Sequence, residues 1–311
     1  MPRVFITGIC SFTGRHLSNY LQSVGSHEII GCDLLLNAPP SQVAVEVCDV
    51  RERGEVLRLI GALRPDAVYH LAASTAEADP GELLRTNVEG TWNLLDACRQ
   101  LAIPPKILIV GSAASFGEMP KDISAWSEDA GTRPSSFYGL SRATQLELGR
   151  VAFEKWALPV FLCRPFNLTG PGLSEWFAPA ALARRVLELQ RTGGRIFSLR
   201  NSRTIRDFVD VRDAIGAYHA ILEHGRPGVP YNVGSGVGTE MCAVVQTMAR
   251  LAGVSLSIEE APCEPGRDRS SINRSITDIT RIKRDTAWQP VVTLEQSLRD
   301  MLKHLQSASA N

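Results

Sequence analysis

The chain has no excess charge of either sign. Its 311 residues hold 33 Lys+Arg and 33 Asp+Glu, a formal net charge of +0 at pH 7. That balance argues against nucleic acid or an anionic membrane as a bulk partner. No apolar run is long enough to span a bilayer. The 7 cysteines (positions 10, 32, 48, 98, 163, 242 and 263) include no C-x-x-C pair and are odd in number, so neither a disulfide framework nor a zinc ribbon is indicated. Several fall in apparent strands, and the expectation is buried free thiols in a reducing cytoplasm. The 6 histidines show no metal-ligand spacing, and no metal is expected. His70, at a strand end before Leu71-Ala72-Ala73, reads as packing. No internal repeat or low-complexity tract appears. The N-terminus enters a strand directly, which gives the expectation of no signal peptide. The length suits one large or two coupled domains with ample core.

What is present begins at Val4. Residues 4–17 read V-F-I-T-G-I-C-S-F-T-G-R-H-L: a buried strand, a glycine turn, then a helical pattern through Leu17 and Leu21. Strand, glycine turn and helix in that order build a dinucleotide site. Gly8 supplies backbone angles that a β-carbon forbids, and Gly14 lets the helix start pack against the strand. The free N–H groups of that helix start then face a pyrophosphate. The usual middle glycine is Ser11 here. It adds bulk where backbone approaches phosphate, and its hydroxyl offers a hydrogen bond instead. A second strand, Glu28–Cys32, ends in Asp33. An acidic residue about 20 positions past the turn accepts the adenine-ribose hydroxyls and repels a 2′-phosphate. Asp33 therefore favours NAD over NADP.

Helices then alternate with apolar strands. The strands are 43–47, 67–74, 106–110 and 161–164, and the helices 53–63, from Asn87 through Ala97, and from Phe137 to about Lys155. The pattern predicts an α/β fold with a doubly wound parallel (Rossmann) sheet. The Pro/Gly-rich run Pro165–Gly172 marks a crossing into a smaller, mostly C-terminal α/β domain. Residues 1–166 and about 206–236 are assigned to dinucleotide binding, and about 167–205 and 237–311 to substrate. Ser307–Asn311 reads as frayed.

Taken jointly, Thr7-Gly8…Phe12…Gly14, Asp33, Asp49-Val50, His70-Leu71-Ala72-Ala73, Asn87, Ser112, Tyr138, Arg164-Pro165-Phe166-Asn167, Arg206-Asp207-Phe208, Asn232-Val233-Gly234 and Trp288-x-Pro290 resemble the extended short-chain dehydrogenase/reductases that act on nucleotide sugars. The runs R-P-F-N-L-T-G-P-G and R-D-F-V-D-V-R-D look closest to the GDP-4-keto-6-deoxymannose (GDP-6-deoxy-lyxo-4-hexulose) reductases. The resemblance implies that Ser112, Tyr138 and Arg142 surround one carbonyl, with Tyr138 as acid or base and Ser112 holding the oxygen. It implies NAD or NADP held by Gly8, Ser11, Phe12, Thr13, Gly14, Asp33, Asp49, Val50, Leu71, Ala72, Ala73, Asn87, Tyr138, Arg142 and Pro165. It implies a nucleotide sugar held by Ser74, Ser112, Asn167, Arg184, Arg206 and Arg267. In the family the helices after Asn87 and Tyr138 often pair across a homodimer, though apolar faces on both serve a monomer's core equally.

Two departures matter. The family's usual lysine, four residues after the tyrosine, is Arg142. Arginine keeps the positive charge that favours a phenolate but releases no proton, so it is no relay. The 4,6-dehydratases carry an acidic pair just after the catalytic Ser/Thr. Here those positions are Ala113 and Ala114, and methyl groups move no protons. Three readings stand: a 4-ketoreductase of a 4-keto-6-deoxy nucleotide sugar, a nucleotide-sugar epimerase with tightly held NAD, and a cofactor-binding homologue that has lost turnover.

Overall fold

The computed structural model describes residues 1–25, 27–37, 39–75, 79–262 and 273–310. The first half runs β1 (Arg3–Thr7), α1 (Phe12–Val24), β2 (Glu28–Asp33), β3 (Ala44–Val47), α2 (Arg53–Leu63), β4 (Ala67–His70), α3 (Pro80–Leu83), α4 (Gly90–Arg99), β5 (Lys106–Val110), α5 (Phe137–Trp156) and β6 (Val160–Pro165). The second half runs β7 (Asn167–Thr169), α6 (Ala178–Thr192), β8 (Ile196–Leu199), β9 (Ile205–Asp210), α7 (Val211–His224), β10 (Pro230–Val233), β11 (Gly238–Glu240), α8 (Met241–Leu251), β12 (Ser257–Glu260), β13 (Arg274–Ser275), α9 (Thr280–Thr286) and α10 (Leu294–Ala310).

The large sheet has 7 strands in the order β10-β6-β5-β4-β1-β2-β3. Every neighbouring pair is parallel. Its central strands are continuous apolar runs because both faces are covered. Leu17 and Leu21 of α1 pack with Ala217 and Ile221 of α7 on one face. Leu59 of α2, Leu94 of α4 and Leu146 of α5 cover the other. The winding reverses between β1 and β4, so a crevice opens beyond the carboxyl ends of those strands.

The helix expected from Asn87 starts earlier. Asp79 caps α3 by accepting the Glu82 N–H, Pro80 occupies the first turn, and a π-helical turn (Leu84–Glu89) carries the chain into α4. A side-chain cap followed by proline is a helix start, and π-turns concentrate at functional sites. The C-terminal residues expected to fray continue α10 to Ala310.

The smaller layer centres on β9, which pairs with β7, β11 and β13, while β12 pairs with β8. Helices α6, α8 and α10 bury Val186, Val245 and Leu298 in its core. Fully buried Asp207 accepts the N–H groups of Ser235, Gly236 and Thr277, fastening β9 to the returning chain. The expected division at about 237 falls between β10 of the large sheet and β11 of the small one, whereas that at about 206 falls inside β9. Strand β9 belongs to the small layer, and α9 packs on α7 and β10 of the large one. The chain crosses more often than a composition break at Pro165–Gly172 reveals. No helix among the described residues is long and apolar enough to cross a membrane.

Candidate active site

The crevice begins at the glycine turn. Gly8 sits at φ +71°, and a Cβ on it would lie 2.8 Å from the Ala72 nitrogen. A Cβ on Gly14 would overlap the carbonyl oxygens of Gly8 and Ile9. Both positions therefore require glycine, one for its dihedral and one for contact. Ser11 stands where the two cavities described below meet. Its Oγ caps α1 by accepting the Gly14 N–H at 3.0 Å, so that amide is already spent. The first-turn amides of Phe12 and Thr13 still precede any intrahelical bond.

Asp33 is anchored. Its Oδ2 accepts the Cys10 N–H and its Oδ1 the Leu34 N–H, both at 2.9 Å. It walls a cavity of about 400 Å³ together with Gly8, Asp49, Val50, Leu71, Ala72 and Ala73. Ser74, expected at the substrate, lies on this wall, and its neighbour Thr75 lines the larger cavity described next. Asn87 lines neither cavity. Its amide accepts the Ser74 N–H and donates to the Ser74 carbonyl and the Ser141 hydroxyl. It ties the post-β4 loop to α5 rather than touching a ligand directly.

A second cavity of about 690 Å³ shares Ser11, Leu71 and Ala73 with the first, so the two run together past the glycine turn. Phe12, Thr13, Ser112, Tyr138, Arg142, Pro165, Asn167 and Arg206 all line it. Ser112 Oγ accepts the Ala114 N–H at 3.1 Å, which leaves its own O–H free to donate into the cavity. Tyr138 is in the first turn of α5, which Ser136 caps. A Cβ on the next residue, Gly139, would overlap the Ala114 carbonyl oxygen. Gly139 thus lets the tyrosine helix press against the Ser112 loop, a role that motif reading did not assign. Asn167 donates to the Asp207 carbonyl at 2.9 Å while facing the cavity.

Arg142 is 6% exposed, with its guanidinium carbon 5.7 Å from the Tyr138 ring centroid. It donates to the Gly111 carbonyl at 3.1 Å and to Gln145 Oε1 at 2.8 Å. Gln145 donates on to Thr91 Oγ1, which also partners His70 Nε2 at 2.9 Å, and His70 Nδ1 meets Thr7 Oγ1 at 2.7 Å. Burial, and then the Arg142 charge, push the His70 pKa down to about 3. His70 is a satisfied, neutral core residue, as its sequence context indicated. Burial also pushes the Tyr218 phenol well up; its hydroxyl lines the cavity with no hydrogen-bond partner among the described residues.

No carboxylate stands among the described residues lining this cavity, whereas Arg142, Arg200 and Arg206 do. Burial pushes the Arg206 pKa down, yet arginine stays protonated, so the cavity is cationic. Arg200 went unnoticed in the sequence, although it follows β8 in a polar turn six residues ahead of Arg206. Arg184, expected at the substrate, pairs with Glu175 at 2.8 Å and is not among the residues lining the cavity. Arg267 lies outside the described residues.

A parallel sheet with a glycine turn at its switch point, and Ser, Tyr and a fixed cation beyond it, defines a dinucleotide-dependent oxidoreductase site. The sequence pattern of the NAD dependent epimerase/dehydratase family matches residues 4–234. The chain belongs to that family and is an NAD(P)-dependent enzyme. A GDP-6-deoxy-D-mannose reductase of Pseudomonas aeruginosa is 31% identical over 98% of this chain and 97% of its own length. The solved structure of RMD from Pseudomonas aeruginosa complexed with NADPH superposes with a TM-score of 0.86 at 28% identity, covering 99% of this chain and 100% of that one. The UDP-glucose 4-epimerase of Thermus thermophilus in complex with NAD gives 0.86 at 26% identity, covering 98% and 99%.

Proposed function

We propose that this enzyme reduces the 4-keto group of a 4-keto-6-deoxyhexose carried on a nucleoside diphosphate, a GDP-sugar being favoured, with the reducing equivalent drawn from NADH. The observation that carries this reading is the cationic cavity. It joins Ser112 and Tyr138 to Arg200 and Arg206 without a carboxylate among its described lining residues. Guanidinium forks suit diphosphate oxygens. Ala113 and Ala114 offer no group for eliminating water, which separates the site from 4,6-dehydration. The similarity to a GDP-6-deoxy-D-mannose reductase supports the sugar class.

The glycine turn, the Phe12 and Thr13 amides and Asp33 hold the dinucleotide, which when bound supplies a hydride to the keto carbon. Ser112 donates a hydrogen bond to the keto oxygen and fixes its position. Tyr138 gives that oxygen a proton as negative charge develops on it. Arg142 holds a positive charge beside the phenolate left behind and takes no proton from it. The epimerase reading is the second one: the acidic wall around Asp33 suits an NAD that stays bound through internal recycling.

The two readings part on stoichiometry. Purified protein mixed with a GDP-4-keto-6-deoxyhexose and NADH should consume one NADH per sugar reduced, followed at 340 nm. NAD carried through purification, with no net consumption of added cofactor, would assign epimerisation instead.

The protein is further proposed to work as a cytoplasmic homodimer. Leu84 and Trp92 are 46% and 42% exposed, and line with Leu148 a shallow apolar hollow between the π-turn, α4 and α5. Covering it with a second copy removes this patch from water. Five thiols (Cys10, Cys32, Cys48, Cys98 and Cys163) are buried and free, which suits a reducing compartment. Equilibrium sedimentation should give a dimer for the wild type and a monomer for Leu84→Lys/Trp92→Lys. A monomeric wild type at tens of micromolar refutes the dimer.

A further inference from the structure

Arg51 stands on the wall of the smaller cavity and is the one cation among its described lining residues. It is not available as a free cation. Its Nε meets both carboxylate oxygens of Asp49 at 2.9 Å, and its Nη2 meets Asp49 Oδ2 at 2.6 Å. Its Nη1 reaches across to Glu82 Oε2 at 2.8 Å. Glu82 comes from a different element, α3, and is itself steadied by the Thr86 hydroxyl on Oε1 at 2.9 Å and by Arg85 at 3.5 Å. Asp49 and Glu82 line the same cavity as Asp33. Three carboxylates and one guanidinium therefore line the cavity, two of the carboxylates are paired with that guanidinium, and the wall is net acidic.

We infer that Glu82 is a cofactor-specificity residue: by occupying Arg51 from across the cavity, it denies the one cation there to a 2′-phosphate, and so reinforces selection of NADH over NADPH. This rests on the reading of the cavity as the cofactor's adenosine site. Asp33 alone repels a 2′-phosphate, but a free guanidinium beside it would offset that repulsion, since arginine binds phosphate through charge-assisted forks. Asp49 is a sequence neighbour, two residues away, in the same loop as Arg51. Glu82 is the partner that the fold supplies. The Asp49 carboxylate, joined by Glu82, holds the Arg51 pKa above its ordinary value, and the Arg51 guanidinium holds the Asp49 pKa below its own.

The test needs only binding. Dissociation constants for NADH and NADPH are measured by cofactor fluorescence on the purified full chain, without sugar. The wild type should favour NADH. Glu82→Gln keeps the shape and removes the charge. It should tighten NADPH about tenfold, the effect of roughly 1.4 kcal/mol, and leave NADH within about twofold. Arg51→Gln added to Glu82→Gln should erase that gain, because Glu82 acts through Arg51. A wild type that favours NADPH overturns the inference. So does a Glu82→Gln that shifts both cofactors equally, as a merely structural role would, or a gain that survives loss of Arg51. If the wild type binds neither cofactor, the adenosine-site reading itself falls, which is a distinguishable result.

Discussion

Tyr138→Phe is expected to lower kcat about a thousandfold, within the 10²–10⁴ range for a positioned acid or base, while the dissociation constant for NADH stays within about twofold. The substitution removes one oxygen and little else. The ring remains in the first turn of α5, under the Ser136 cap, with the Arg142 guanidinium 5.7 Å from its centroid. Gly139 still allows the close contact with Ala114 that sets the helix against the Ser112 loop. Any loss is therefore chemical and not a change of packing. Ser112→Ala should cost less, on the order of a hundredfold, because it removes a hydrogen-bond donor to the developing oxyanion rather than the proton source. The double variant should fall short of the product of the two losses, since both groups act on one oxygen. Single-turnover rates at saturating NADH and sugar check all three. A Tyr138→Phe enzyme that keeps a tenth of wild-type kcat overturns the assignment of Tyr138 as proton donor.

The sequence made the large sheet legible because parallel strands buried on both faces are written as unbroken apolar runs, and the crossover helices between them show a clear periodic face. It also pointed to Gly8 and Gly14 through local chemistry at fixed spacing, and to Ser112, Tyr138 and Arg142 through the family resemblance. What was not legible depends on where a side chain ends up. Asn87 and Arg184 have the right chemistry for ligands, yet one is spent on the post-β4 loop and the other on Glu175. Arg200 and Glu82 belong to short or irregular segments whose approach to a cavity is decided by tertiary packing. A serine before a helix is the common cap, worth about 1 kcal/mol, and here Ser11 occupies the Gly14 amide while its own O–H stays free to donate. Gly139 was not legible as a spacer, because the carbonyl it accommodates lies 25 residues earlier in the chain.

Arg142→Met is expected to separate stability from activity. The guanidinium is 6% exposed, yet its hydrogen-bond acceptors are neutral, the Gly111 carbonyl and Gln145 Oε1. Its Nε has no partner among the described residues. An arginine buried without a carboxylate carries a desolvation penalty of several kcal/mol that its hydrogen bonds only partly offset. Its charge reaches deep into the core, contributing to the depressed His70 pKa. Replacing it with an unbranched apolar chain removes that penalty but leaves two buried neutral acceptors without their donor, about 1–3 kcal/mol each, and the two effects nearly cancel. The melting temperature should stay within a few degrees of wild type. The kcat should fall by about 10²–10³, because the fixed charge that balances the Tyr138 phenolate has gone. A residue with a purely structural role would do the reverse, lowering the melting temperature and sparing kcat. Arg142→Lys completes the argument: it restores the charge on a smaller head and should recover kcat to within about tenfold of wild type. A lysine variant faster than a nearly inactive wild type by orders of magnitude would mean that the guanidinium obstructs the site, and the chain would then be a cofactor-binding homologue rather than a working reductase.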